Sequence, residues 1–271
     1  TAGVRQINSE YTANEAKRTK QTASPVILGG SFEIDRVIAQ TSGAINEMDF
    51  QIKQKTKAGA NYFHNLVING TSASSGVGYV PNTFDGLKKI LSGKSTEMTT
   101  DIDVSTSAML DSNYNAFLDE LDTFLALLAA KPDVLMMNNK MLTKIRSAAR
   151  RAGYYDRSKD DFGRTVETYN GILLMDAGEY YNGSATEDVV ATSTPDSTHY
   201  GTSDIYAAKL GLDAFHGISV DGSKMLKTYL PDMSAPGAVK KGEVELIAGA
   251  VLKNSKMAGV LKGIKLLGKT S

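Results

Sequence analysis

Histidines are the first place to look for chemistry, because a His beside an acid or a second His can move protons or hold a metal. The chain has three, His64, His199 and His216. They stand far apart, and none has a partner at a metal-ligand spacing such as HxxxH. His64 falls within a helical stretch and reads as a packing or surface residue. The loop Gly70–Gly78 has the glycines of a phosphate cradle. It lacks the Lys-Ser/Thr that would follow, however, and a helix rather than a strand precedes it. Gly217-Ile218-Ser219-Val220-Asp221 approaches a nucleophile elbow but has no closing glycine. Asp156, Asp160 and Asp161 could be imagined around a metal, yet Arg157, Lys159 and Arg164 lie among them. That mixture reads as a self-neutralised, solvated loop. Arg146, Arg150 and Arg151 form a basic helix end, which compensates the helix dipole or meets an acidic neighbour. From Lys240 onward seven lysines stand against Glu243 and Glu245 without interleaved aromatics, a weak pattern for nucleic-acid recognition. The residues therefore point away from an enzyme; a hydrolase with an unrecognised site is the residual alternative. No cofactor and no metal is expected.

Bulk composition agrees. Thirty basic and thirty acidic residues cancel, so no net field draws the chain to nucleic acid or an anionic membrane. Cysteine is absent, which removes disulfides and thiol chemistry. No apolar run approaches the roughly 20 residues of a membrane-spanning helix. A chain of 271 residues can bury a substantial core in one or two domains. It opens on Thr1-Ala2-Gly3 without a methionine, so trimming or proteolytic removal of an upstream segment is expected.

The elements that would carry these residues are dominated by one helix. From Ala44 to Gly70, the residues Ile45, Met48, Ile52, Gly59, Phe63 and Leu66 recur at helical spacings, with acids first and bases later. Phe63 is expected to be buried, and Asn69-Gly70 to end the helix in a left-handed cap. Before it, Val4–Tyr11 and the run from Pro25 to Val37 predict two strands around a polar tip. Such a hairpin is marginal on its own and needs cover from elsewhere. After the helix come a Ser/Gly loop and a short helix from Phe84 to Leu91. Thr99–Ser105 is a possible strand, and a strong helix over Ser107–Lys131 is stopped by Pro132. Asp133–Met137 reads as a strand buried on both faces. Asn138 or Asn139 caps a helix over Lys140–Arg151, and Asn170-Gly171 turns a hairpin within Arg164–Met175. Glu179–Thr202 is polar without a period and reads as an exposed loop. Strands follow at Ser203–Leu210, Ala214–Val220, Glu243–Leu252 and Ala258–Leu267. The class is α+β.

In this order the pieces resemble the major capsid protein of tailed bacteriophages, a fold shared with encapsulin nanocompartments. The resemblance rests on Gly29-Gly30-Ser31-Phe32-Glu33-Ile34-Asp35-Arg36, on Leu66-Val67-Ile68-Asn69-Gly70 and on Phe84-Asp85-Gly86-Leu87, and it covers nearly the whole chain. It implies a phage capsid fold with an extended hairpin loop in residues 1–43. Residues 44–106 would be a peripheral domain with a spine helix, residues 107–225 an axial domain and residues 226–271 its return strands. It further implies self-assembly into hexamers and pentamers of an icosahedral head enclosing double-stranded DNA. The partners would be further copies of the chain, a portal, a scaffold, decoration proteins and non-specifically held DNA, with no membrane. The location would be the virion, assembled in the host cytoplasm. An encapsulin shell is the alternative. Arg18, Lys20, Phe32, Arg36, Arg150 and Tyr180 are the residues expected at contacts between subunits. Lys17 and Lys20 read as solvated tip charges rather than cross-linking lysines. One departure stands: family members usually carry an arm before the extended loop, and only about 43 residues precede this spine.

Overall fold

The computed structural model describes residues 3–11, 20, 23–41, 47–72, 83–153, 156–159, 165–220 and 225–270. In chain order the elements are β1 (Val26–Asp35), α1 (Arg36–Thr41), α2 (Glu47–Asn69), α3 (Leu87–Leu91), β2 (Glu97–Thr99), α4 (Ser107–Ala126), β3 (Val134–Met137), α5 (Asn139–Ala152), β4 (Asp156–Lys159), β5 (Thr165–Tyr169), β6 (Ile172–Asp176), β7 (Glu179–Tyr181), β8 (Thr186–Asp188), β9 (Gly201–Ala208), β10 (Phe215–Ile218), β11 (Leu226–Tyr229), β12 (Val239–Leu252) and β13 (Ala258–Leu267). Seven strands form one sheet in the order β2-β13-β9-β3-β6-β5-β4. A second sheet is built on β12, with β1 along one edge and β10 and β11 along the other, and β7 pairs with β8.

The large sheet is buried on both faces at its centre, and the strand sequences show why. Leu135 and Met137 of β3, Ile205 and Ala207 of β9, and Leu261 and Ile264 of β13 turn to one face. There they pack under Phe117, Leu121 and Phe124 of α4 and Met141 and Ile145 of α5. The alternate residues Val134, Met136, Tyr206, Ala208 and Val260 turn to the other face, against Leu66 and Ile68 of α2 and Leu87 and Leu91 of α3. A strand with apolar partners above and below has no polar position to spare, hence the unbroken Val-Leu-Met-Met run. Asn138 caps α5 by accepting from the Met141 N–H at 2.8 Å. Asn170 and Gly171 both take positive φ (51° and 69°), the geometry of a two-residue hairpin turn, and join β5 to β6.

The anticipated N-terminal hairpin does not form. Residues 3–11 contain no strand, and Val4, Ile7 and Tyr11 are exposed. Their spacings of three and four do not alternate as a pleated strand requires. The second half of the expected hairpin, β1, pairs instead with β12 from Val26↔Ala248 to Asp35↔Val239. Val37, expected on that strand, opens onto the short helix α1, whose first turn is held by Asp35 Oδ1 accepting from the Val37 N–H at 2.8 Å. β12 and β13 are not hairpin partners: a 3₁₀ turn over Ser255–Met257 carries the chain from one sheet to the other.

Helix α2 spans about 34 Å at 1.5 Å per residue and links the two sheets. Met48 and Ile52 lie over Phe32, Ile34 and Val244 near its start; Leu66 and Ile68 enter the second cluster at its end. Between these ends the expected stripe is only half covered. Phe63 is half-buried, its ring tilted 53° against Phe84 at 5.9 Å. Helix α4 stops at Ala126, short of the expected Lys131, although Leu128 beyond it remains buried. The 127 and 128 N–H groups reach back three residues to the 124 and 125 carbonyls, a tightened last turn that breaks the α register. The stretch after Ala177 is not simply a loop: β7 and β8 form a ribbon, and Val189 and Val190 are buried. Asn69 Nδ2 donates to the Val189 carbonyl at 2.7 Å and Asn138 Nδ2 to that of Val190 at 2.9 Å. Two helix-terminal asparagines thus pin the segment to the core.

Gly70 ends α2 for a reason other than a left-handed cap. A Cβ there would stand 2.5 Å from the carbonyl oxygens of both Leu66 and Phe84. Gly86 reciprocates: its N–H donates to the Gly70 carbonyl at 2.8 Å, and a Cβ would lie 2.6 Å from the Ile68 oxygen. Backbone crossing backbone leaves no side chain that can yield. Gly86→Ala is expected to cost about 3 kcal/mol in urea unfolding, the upper part of the overpacking range; a loss below about 0.5 kcal/mol refutes the close approach.

Asp204 on β9 supplies a second test. Burial pushes its carboxyl pKa up, outweighing the Gly263 N–H that donates to it at 3.2 Å and the nearby Lys262 and Lys88. The folded chain then holds this proton to higher pH than the unfolded chain, whose group titrates near 3.8. Stability is lost as pH rises from that value through the folded pKa. Asp204→Asn, neutral at every pH, is expected to raise the denaturation midpoint at pH 7 and to leave it unchanged near pH 3. Equal effects at both values would contradict the buried-charge account.

Candidate intersubunit surface

Among the described residues, the candidates for chemistry do not converge. His64 is exposed on α2 and His216 half-buried on β10. Among the described residues no group of three His, Cys, Asp or Glu could hold a metal, and no helix is long and apolar enough to cross a membrane. Asp160, Asp161 and Arg164 lie outside the described residues, as does most of the Gly70–Gly78 loop. One acid–imidazole pair does exist. His199 Nδ1 lies 2.9 Å from Asp196 Oδ2, at a hollow of about 600 Å³ that Tyr200, Lys265 and Lys269 also line. The Asp196 carboxyl is held far below the usual range by the His199 side chain, then by the hydroxyl and N–H of Thr198 and the N–H of His199. A carboxylate so occupied organises its turn; the Thr198 hydroxyl lies 2.8 Å from His199 Nδ1 and also donates to Asp196 Oδ1 at 2.8 Å, as part of the same exposed turn.

What the surface offers instead is unpaired backbone and exposed apolar area. β1 runs ten residues with one edge paired to β12; its opposite edge has no strand partner among the described residues. Val26, Leu28, Phe32 and Ile34 turn inward while Ile27, Ser31 and Glu33 turn out, so the strand is fixed in its own sheet by one face only. Beyond it, Val37 and Ile38 of α1 are exposed, as are Leu230 and Val239. The Arg36 N–H donates to the Ala238 carbonyl at 2.9 Å, tying α1 to this last stretch. Among the described residues, the hydrogen bonds of 3–11 stay within the segment: the Ser9 N–H bonds the Gln6 carbonyl at 3.2 Å, and Arg5 lies 5.7 Å from the centre of the Tyr11 ring. Val4 is 104% and Ile7 93% exposed.

The six residues expected at contacts fall in different surroundings. Arg18 lies outside the described residues. Lys20 and Arg36 are exposed, the latter at the first turn of α1. Phe32 is a correction: it is 4% exposed, its ring seated where a Cβ on Gly242 would be 2.4 Å away, so it serves the chain's own core. Arg150 is exposed in the last turn of α5. Tyr180 is half-buried against the second cluster, and its hydroxyl donates to Glu187 across the β7–β8 ribbon at 3.0 Å. Burial, followed by that carboxylate, pushes its pKa up. Sequence reasoning missed the apolar set on α1 and around 230–239. Its one signal was the pair Val37-Ile38 behind a helix-capping Asp35.

Known structures share this fold. The holo-SrpI encapsulin complex from Synechococcus elongatus PCC 7942 matches at a TM-score of 0.65 and 13% identity, over 91% of this chain and 76% of that one. Gordonia phage Cozz matches at 0.54 and 13%, over 97% and 77%. A protein described as a prophage capsid protein of E. coli CFT073 matches at 0.53 and 12%, over 88% and 77%. No curated protein matches the sequence. The family model of the SU10 major capsid protein matches residues 9–173, more than half of the chain, and the chain therefore belongs to that family of major capsid proteins.

Proposed function

We propose that this major capsid protein closes into hexamers and pentamers of an icosahedral phage head, with a structural and not a catalytic role. The observation that carries the proposal is the surface left open by a single copy. A ten-residue strand has an edge without a strand partner among the described residues, and an exposed segment bearing Val4, Ile7 and Tyr11 precedes it. Such edges are hazards in a solitary protein and become useful when another copy covers them. Contacts between unlike patches of identical chains close into rings, and many weak contacts per subunit add up through multivalency.

In this reading residues 1–43 reach over a neighbour, 44–106 form the peripheral domain with α2 as its spine, 107–225 form the axial domain and 226–271 return to the periphery. Lys20, Arg36, Arg150 and Tyr180 stand at or near contacts between copies; Arg18 joins them from the sequence. Portal, scaffold and decoration proteins are the further partners, packaged DNA is held non-specifically, and assembly takes place in the host cytoplasm. The family match favours a phage head over an encapsulin-like compartment, since the likeness to the encapsulin is one of fold.

Deleting residues 3–11 separates folding from assembly. Because these residues touch nothing else described, the thermal unfolding midpoint of the subunit is expected to stay within about 2 °C. The yield of closed shells in electron micrographs is expected to fall at least about tenfold. A deletion variant that builds shells as well as the intact chain would rule out the role given to this segment.

A further inference from the structure

We infer that the hollow beside Tyr200 is a phosphate-binding site for a nucleic-acid backbone, with the Lys269 ammonium as its free cation. The inference rests on the shell reading above and deepens it, giving enclosed DNA a place of contact on this chain.

Two stretches of chain build the hollow. β9 and β13 lie antiparallel, which sets Lys265 opposite Thr202. The Ser193 N–H donates to the Thr202 carbonyl at 2.8 Å, and the Thr202 N–H returns a bond to Ser193 Oγ at 2.7 Å. The Thr270 N–H donates to the Asp196 carbonyl at 3.1 Å. Residues 193–200 are thereby fastened to β9 and to the chain beyond β13, and together these segments line a space of about 600 Å³.

Two ammonium groups converge there. Lys265 Nζ stands 4.9 Å and Lys269 Nζ 5.1 Å from the centre of the Tyr200 ring. They are thus within about a Debye length of each other at moderate salt. The ring attracts each cation, but each repels the other. Lys265 is compensated by Asp101 at 2.7 Å, whereas Lys269 has no carboxylate partner among the described residues. The acid that lines the hollow is already occupied. Asp196 accepts from the Thr198 N–H and hydroxyl and from the His199 N–H, and His199 Nδ1 lies 2.9 Å from it. The lining groups that remain can donate: the Lys269 ammonium and the hydroxyls of Thr194 and Tyr200, none of them hydrogen-bonded to a described residue.

Unspent donors beside two cations, with the local acid saturated, select an anion. Which anion follows from exposure. Lys269 and His199 are exposed, and an exposed charge pair adds little for a small ion in water. A polymer of phosphates gains instead by releasing condensed counterions, and weak contacts of this kind add up along the strand and from copy to copy. The ring engaged by the lysines is not free to stack on a base, so the contact is with phosphate and carries no sequence information. Lys265 and Lys269 belong to the lysine-rich C-terminal run that lacks aromatics of its own; Tyr200 reaches it across the β9–β13 ladder.

The test uses the full-length, unassembled subunit and the fluorescence anisotropy of a labelled DNA duplex. Lys269→Ala is expected to weaken binding about fivefold at about 50 mM salt and to lower the slope of log K against log salt by about 1. Lys253→Ala, an exposed lysine of the same run but outside the hollow, is expected to change binding less than about twofold. Equal losses in the two variants would overturn the site, because any surface lysine would then serve. So would a parent that binds no duplex, inorganic phosphate that displaces the duplex at about 10 mM and constant ionic strength, or poly-glutamate that competes equally at matched charge. The assembled fraction of Lys269→Ala is expected to stay within about twofold of the parent. Shells that form while duplex binding ignores Lys269→Ala remove the site and leave the shell reading standing. A parent that forms no shell but binds duplex through Lys269 removes the shell reading and keeps the site.

Discussion

The pairing of β1 with β12 is the interaction on which the rest of the molecule depends. It joins residue 26 to residue 248, so the chain's first ordered strand is held by nearly its last. β12 can serve because it is long and central. It is paired on one edge along β1 and on the other with β10 and β11. The inward face of the pair, Phe32, Ile34 and Val244, gives the first turns of α2 something to rest on. Without β12, the contact of Phe32 and Ile34 with Met48 and Ile52 would lose Val244 and the strand that holds β1 in register. Contacts of such sequence separation carry a loop-closure cost that local contacts do not.

The long helix turns that pairing into a shape. A rod about 34 Å long, buried at one end in the main core and resting at the other on the β1–β12 sheet, fixes the distance between two clusters that otherwise share few residues. The Gly70–Gly86 crossing locks its buried end, because the chain leaving α2 and the chain entering α3 touch backbone to backbone. Asn69 and Asn138 then fasten the Val189–Val190 segment between α2 and the main sheet. Helix ends are rigid and rich in unsatisfied polar groups, which makes them good anchor points for a segment with no regular structure of its own.

Much of this was legible in the sequence, and the failures share a cause. Elements defined by local rules were found: the long helix, the two-faced strand β3, the Asn138 cap and the Asn170-Gly171 turn each follow from neighbours within a few residues. What failed depended on distant partners. The run from Val26 to Ile34 was recognisable as a strand, but nothing nearby said that its mate lay some 220 residues away rather than at Val4–Tyr11. The glycine in Asn69-Gly70 was noticed for the wrong property; the carbonyl of Phe84, fourteen residues on, demands it. The burial of Val189 and Val190 was hidden because a polar neighbourhood masks two apolar residues that have no period. Of the expected contact residues, Phe32 was misjudged on the same ground: whether an aromatic on a strand faces a neighbour or its own core depends on Gly242, far down the chain.

The distribution of exposed apolar residues bears on why a capsid protein is built this way. Apolar area left open by one chain costs solubility, and natural monomers keep such patches small. Here exposed apolar residues recur on the N-terminal segment, on α1 and from 225 to 239, while Met109, Leu127, Met175, Leu210 and Leu212 are exposed around the large sheet. The large sheet and its helices carry the largest apolar cluster, whereas Phe32, Ile34 and Val244 of the smaller sheet form a small one. Apolar area left open in one copy is area that a second copy can bury, at a gain of roughly 25 cal/mol per Å² removed from water.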